Sequence, residues 1–446
     1  MVDDFSSVKV LDMKIPCGIV RHIVRIVAVM GLWCSISPLS AQVAVDPMLA
    51  KEIARIRAID NHSHDAPAFP ESEPPPPDGS PLGVTPFGYP VRLRVDNPEW
   101  VEAWRALYGY TFFDMSPVHA RMALLAKRQR KVDLGTAYPA WVLDRAGIEV
   151  AFVDSDTLGP GLAAPRFRWV PFVDELLFPL DNTNPLFKRF LAESRMDSLP
   201  VELGRYTGEV VTPALERWRR AGVLAVKLGV AYRRPLNFAD VTESRAAGVY
   251  KRWALKGQAP TTEYIVLQDY LFSYLAREAG RLGLVVHIHT GVGAAPFFAI
   301  AGSDPTLLEP ALNNPALRKT LFVLIHGGWP YEKQAGVMLI KPNVYADFSA
   351  QTFLRSPRAL SEALREWLEW YPEKVLFGTD AYSDPRTPLS DWEEKAWLTT
   401  RSAREALGIA LTGMMRDREI TRERALELAR LVLRDNANRL YRFAER

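Results

Sequence analysis

Cysteine is almost missing from this chain of 446 residues: Cys17 and Cys34 are the two present, and both lie in an N-terminal stretch expected to be removed. Without them no disulfide framework can form, and no thiolate can serve as nucleophile or ligand. A bilayer-spanning run is lacking as well. The apolar run Ile26 to Ile36 falls short of the about 20 residues a transmembrane helix needs. Charge of one sign is not in excess either: 55 basic and 52 acidic residues leave a net +3, which gives no electrostatic reason to propose nucleic acid or an anionic membrane as partner. No internal repeat is visible.

The N-terminal stretch has the anatomy of a cleavable secretory signal. Lys14, Arg21 and Arg25 precede the apolar run, which closes on small residues at Ser40 and Ala41. We expect a signal peptide over residues 1–41, with Met13 as an alternative start. Trp33 before Cys34 is a poor fit to a lipoprotein cleavage site. The mature chain is then expected to be periplasmic or secreted, out of contact with the membrane.

With 48% hydrophobic and 24% charged residues, the remainder reads as an ordinary globular protein. A short helix, Pro47 to Arg57, leads into a strand over Ile59 to Asp65. An insertion follows over about 66–134. It opens on EPPPPDGSPLG, which can continue neither a helix nor a central strand, and continues with helical patterns at Trp100–Tyr110 and His119–Arg130. Seven further β-like runs alternate with helix-length stretches: Glu149–Asp154, Phe167–Val173, Val223–Leu228, Leu284–His289, Leu321–His326, Val344–Phe348 and Val375–Phe377. Eight parallel strands with intervening helices predict an α/β fold, a (β/α)8 TIM-type barrel spanning residues 46–446. Tyr264–Arg281 and Ile420–Phe443 are predicted helices, and Asp240–Ala259 a surface insertion.

The seven histidines are concentrated. Outside the signal, five of the remaining six fall at three predicted strand ends: His62 and His64 on strand one, His287 and His289 on strand five, His326 on strand six. Only His119 lies elsewhere. Strand four ends near Lys227 and strand eight near Asp380. The C-terminal ends of barrel strands are where active sites are built. Imidazole and carboxylate together suit a divalent cation, and in a chain without cysteine a metal must be held by His, Asp, Glu or a modified Lys. Asp380 is placed to hold such a cation and to take a proton from the water it activates.

This pattern, His-x-His, Lys, His, His, Asp on strands one, four, five, six and eight, resembles the amidohydrolase superfamily of metal-dependent barrels. IDNHSH at Ile59, AVKLGVAYRRPL at Ala225, HIHTGVG at His287, LIHGGWPY at Leu324, NVYADFS at Asn343, LFGTDAY at Leu376 and RDNANRLYR at Arg434 are similar to the amidohydrolase-2 group, and within it to the nodulin-like branch sometimes fused to glutamine synthetase. The resemblance implies that His62, His64, His289 and Asp380 hold the metal. It implies for His326 either a second-metal ligand or a group that polarises the substrate carbonyl, and for Lys227 either a carbamylated bridge between two metals or a substrate or structural charge. His287, deeper in the barrel, is expected to be a hydrogen-bonded core residue.

Zinc is the expected metal, one ion or two, with manganese or nickel as alternatives. Tyr232, Arg233, Trp329 and Tyr331 follow strands four and six and are the expected substrate contacts. Arg233 either binds a carboxylate-bearing small molecule or pairs with a protein carboxylate. A homo-oligomer is compatible with the sequence. The expected activity is hydrolysis of an amide, lactone or ester bond by metal-activated water, with Asp380 and His326 as catalytic residues. The alternatives are a decarboxylase or other lyase on the same barrel, and a non-catalytic periplasmic binding protein.

Overall fold

Alternation within the short apolar runs decides the architecture. The computed structural model describes residues 44–64, 89–180, 184–294 and 297–443. The expected signal peptide and the first part of the expected insertion lie outside the described residues. Eight strands form: β1 (Ala58–His64), β2 (Ile148–Ser155), β3 (Phe167–Pro171), β4 (Ala225–Leu228), β5 (Val285–His289), β6 (Phe322–Ile325), β7 (Val344–Asp347) and β8 (Val375–Leu376). They match the eight predicted runs, most of them trimmed at one or both ends. All pair in parallel, as one ladder β1-β2-β3 and a second β4-β5-β6-β7-β8.

Backbone hydrogen bonds join the ladders at both seams. Val173 N–H donates to Lys227 O at 2.9 Å, while Asn61 N–H donates to Phe377 O at 2.9 Å and His64 N–H to Ala381 O at 2.8 Å. Side-chain parity agrees with closure. Val226, Leu228, Val286, Ile288, Phe322 and Leu324 pack toward the helices. Their neighbours Ala225, Val285, Val323 and Leu376 pack with Ile59, Phe152 and Val170 from the other ladder, which requires the sheet to curl round on itself. Strands buried on both faces read as continuous apolar runs for this reason. Each fully buried aliphatic side chain contributes about 1.5–3 kcal/mol over exposure.

Capping residues place the helices against the strands they feed. Asp46 accepts hydrogen bonds from the Met48 and Leu49 N–H groups to start helix Pro47–Arg55. Gly147, at φ +73°, ends helix Tyr138–Ala146 one residue before β2, and Gly283, at φ +67°, ends Thr261–Leu282 just before β5. The predicted helix Ile420–Phe443 forms as Arg422–Arg430 and Asn436–Tyr441 joined by a π-helical turn, and it delivers Leu440 and Tyr441 to the barrel interior. Among the described residues, no helix is long and apolar enough to cross a membrane.

The described part of the insertion contributes helices Glu99–Tyr108 and Pro117–Leu134, which pack on helix Trp392–Arg416. Their interface includes a buried ionic network. Lys127 Nζ lies 2.9 Å from Glu393 Oε2 and 3.0 Å from Glu394 Oε2, with all three side chains out of solvent. Tyr108 and Tyr138 donate to Glu394 and Glu393 at 2.6 and 3.0 Å, so the carboxylates are satisfied as a set.

Candidate metal centre

The inward parity that carries Ala225 and Val285 carries Lys227, His287 and His289 onto the same face. In β1 the pairing with β2 shifts between Asp60 and Ser63. There the strand turns to the segment after β8 instead: His62 O accepts from Thr379 N–H at 3.2 Å and Asp380 N–H at 2.7 Å. The buried Asp60 carboxylate accepts from Thr379 N–H (2.8 Å) and Thr379 Oγ1 (2.6 Å). These bonds hold Asp380 at φ +56°, a left-handed conformation that Asp tolerates better than most residues. His326, just past the end of β6, is also left-handed, at φ +67°.

The consequence is convergence. His62 Nε2 and His64 Nε2 lie 3.2 and 3.1 Å from the same oxygen, Asp380 Oδ1. His326 Nδ1 is 3.9 Å from Oδ2. The His289 ring stands 4.7 Å from that of His326, and its buried Nε2 has no hydrogen-bond partner. His62, His64 and Asp380 each offer a ligand atom within 4.8 Å of the others. Two imidazoles and a carboxylate in this reach, with the buried and otherwise orphaned Nε2 of His289 beside His326, are a donor set that fits zinc or a similar divalent ion.

A layer of buried polar groups supports this ring. Asp154, at the end of β2, lies 3.0 Å from His62 Nδ1 and 2.9 Å from Lys227 Nζ. These are ion-pair contacts off the ideal hydrogen-bonding direction. Asp347 accepts from Asn61 Nδ2 (2.8 Å), His326 N–H (2.9 Å), Ser349 N–H (3.1 Å) and Ser349 Oγ (2.6 Å). Since Ser349 gives its single proton to Asp347, its 2.9 Å contact with His326 Nδ1 is one in which the imidazole donates. His326 is thereby fixed with its proton on Nδ1 and a lone pair on Nε2. His287 lies one layer deeper, 2.7 Å from Tyr441 Oη, and Tyr441 in turn donates to Asn61.

Burial and charge divide the titrating groups. Burial holds His289 down to about 3 and His326 well below its usual range, so both are neutral donors of lone pairs at neutral pH. His62 goes the other way: burial and Lys227 oppose its charge, but Asp154 and Asp380 outweigh them and raise it from 6.5 to about 9. The place that attracts this proton attracts a cation. In metal-free protein the raised value stabilises the fold fully below pH 6.5 and is lost as pH rises through about 9. The denaturation midpoint of metal-free protein is therefore expected to fall across that window, and a His62→Asn variant to lose the slope; a midpoint flat from pH 6.5 to 9 would contradict the pairing.

A cavity of about 630 Å³ opens over the ring, with His64, Lys227, His289, His326 and Asp380 in its wall. Of the four expected substrate contacts, Tyr232 lines it, its ring 4.6 Å from that of His289. Arg233 does not. The 3-10 turn Val230–Tyr232 sends its guanidinium aside to Glu175 Oε1 at 2.9 Å and over the Phe178 ring at 3.5 Å. Trp329 and Tyr331 are not in the wall either. The Trp329 carbonyl receives Val292 N–H at 2.7 Å, and Tyr331 precedes helix Glu332–Met338. Sequence reasoning missed Asp60, Asp154, Asp347, Ser349 and Tyr441. For Asp154 a signal existed: it ends EVAFVD with the same parity as the inward Phe152.

A ring of imidazole and carboxylate at the C-terminal mouth defines the class, a (β/α)8 barrel with a candidate metal centre. The amidohydrolase family model matches residues 205–443, and the chain belongs to that family. Protein fluG of Emericella nidulans is 32% identical over 170 residues, or 36% of this chain, and the chain spans 18% of that relative's length. Among solved structures, a Lactobacillus casei protein described as a metal-dependent hydrolase has a TM-score of 0.65 at 16% identity, covering 89% of this chain and 98% of its own. Uronate isomerase of Thermotoga maritima has 0.65 at 14%, covering 88% and 96%. Glucuronate isomerase of Caulobacter crescentus has 0.62 at 16%, covering 92% and 96%. At these identities the likeness is one of fold.

Proposed function

We propose that this chain is a hydrolase that opens an amide, lactone or ester bond with water, using one divalent cation held by His62, His64, His289 and Asp380. The observation that carries the reading is the approach of two imidazole nitrogens to one Asp380 oxygen beside the unpartnered nitrogen of His289. A cation bound there acts as a Lewis acid and brings the pKa of a water to about 7.

The chain's own groups do the rest. Asp380 takes the proton of the attacking water at a carboxylate oxygen and returns it to the leaving group. His326, neutral and with its proton committed to Ser349, has no N–H to give a developing oxyanion, so it orients the water through its lone pair instead. We assign the oxyanion contact to Lys227 Nζ, which lines the cavity. The 2.9 Å pairing of Lys227 with Asp154 favours one metal over a carbamylated bridge between two. Zinc is the proposed ion, manganese or nickel the alternatives.

Assay of the purified protein against N-acyl amino acids, aryl amides and esters, lactones and aryl carboxylates tests this. Turnover that a chelator abolishes and a divalent salt restores is expected. Release of carbon dioxide would make the enzyme a lyase instead, and binding of such compounds without conversion would make it a binding protein. Placement in the nodulin-like branch, and export by cleavage after Ala41 to the periplasm or medium, are further parts of the proposal. They rest on the motifs and on residues 13–41, and N-terminal sequencing of the protein from its host tests the export.

A further inference from the structure

The cavity has two unlike sides. One carries His64, His289, His326 and Asp380. The other is a hydrophobic cluster of its own, detached from the barrel core: Leu93, Ala350 and Phe353 are buried, Tyr89, Leu354 and Tyr382 pack against them, and all six line the cavity. A satellite cluster open on one side to a cavity has apolar surface that a ligand can complete.

The wall is preformed although three chain segments build it. Tyr89 donates to Asp384 Oδ2 at 3.2 Å and accepts from Arg386 at 3.3 Å. Arg92, beside Leu93, donates to Thr352 O at 2.8 Å and Arg355 O at 2.5 Å. Little ordering therefore remains for binding to accomplish.

Charge points the same way. Among the described residues that line the cavity, Lys227 is the one lysine or arginine, and Asp154 sits 2.9 Å from its ammonium. Arg233 is engaged with Glu175. A carboxylate on the substrate remote from the reacting bond would meet a wall whose nearest cations are already committed, Arg386 to Asp384 Oδ1 at 2.9 Å and Lys395 to the Tyr382 carbonyl at 3.0 Å.

We propose, building on the hydrolase reading above, that the substrate is uncharged and carries an apolar or aromatic group, which rests on the wall of Tyr89, Leu93, Phe353, Leu354 and Tyr382. It stands against the carboxylate-bearing substrate that was one of the two readings of Arg233.

Calorimetric binding of three probes to the full-length protein tests the wall without requiring turnover: phenylacetamide, acetamide, and phenylacetamide carrying a carboxylate on the ring para to the side chain. Phenylacetamide is expected to bind about tenfold more tightly than either of the others. Phe353→Ala is expected to reduce its affinity about fivefold while leaving acetamide unchanged. Leu93→Arg is expected to reverse the order of the two ring compounds. Equal affinities for the three, or tightest binding of the carboxylated ring by the unaltered protein, would overturn the proposal. The two readings fail separately: the expected binding order without hydrolysis of any substrate removes the hydrolase and keeps the wall, whereas hydrolysis that prefers carboxylated substrates removes the wall and keeps the hydrolase.

Discussion

Asp380→Asn is expected to lower turnover about a thousandfold while leaving the fold unchanged. The carboxylate is the group on which the two β1 imidazoles converge, at 3.2 and 3.1 Å, and in the proposed reaction it is also the base. An amide can neither take the proton nor offset the charge drawn to His62. The fold should hold because the backbone at this position is fixed from outside the side chain: Asp380 N–H donates to His62 O at 2.7 Å, and asparagine tolerates the left-handed conformation as readily as aspartate. Circular dichroism measures the fold, kcat the chemistry. A variant with near-normal kcat would remove Asp380 from the reaction.

The second large effect lies away from the centre. Lys127→Met is expected to destabilise the protein by about 3–5 kcal/mol, because it leaves two carboxylates buried with one fewer cation. Lys127 is 1% exposed, and its ammonium touches Glu393, Glu394 and the Pro388 carbonyl. Lys131 remains 3.1 Å from Glu393, so Glu394 bears most of the loss. The double variant Lys127→Met with Glu394→Gln is expected to regain part of the stability in chemical denaturation. No recovery would show that packing, not charge, is responsible. Because Glu394 accepts from Asp391 N–H at 2.9 Å and Asp391 accepts from Asp384 N–H at 2.7 Å, the damage should reach Tyr89 in the cavity wall, which donates to Asp384.

The barrel was legible in the sequence because its strands are buried on both faces and so stand out as short apolar runs between helices. His62, His64, His289, His326 and Asp380 were legible because polar residues at the ends of such runs are conspicuous. What escaped has a common cause. Asp154 matters through Lys227 across a seam of the sheet, Asp347 through Asn61 far away in the chain and Ser349 through His326 on the neighbouring strand's end, and single residues of common type give no local sign of that. Tyr441 was hidden inside a terminal helix with no cue to chemistry, yet its hydroxyl reaches His287 and Asn61. Arg233 carried two readings, and its 2.9 Å pairing with Glu175, under a 3-10 turn that sends the side chain aside, matches the one in which it meets a protein carboxylate. The wall of the cavity was the least legible part. Leu93 sits in the 3-10 turn Val91–Leu93, Phe353 in the single helical turn Gln351–Leu354 and Tyr382 in the segment after β8, and no periodicity connects them.

Elemental analysis of protein purified without chelators or added metal bears most directly on the central claim, that His62, His64, His289 and Asp380 hold a single divalent ion. One equivalent per chain is expected for the unaltered protein, and close to none for a variant with both His62 and His64 replaced by alanine. Absence of metal from the unaltered protein, retention of it by the double variant, or two equivalents together with a carbamate on Lys227 would contradict it.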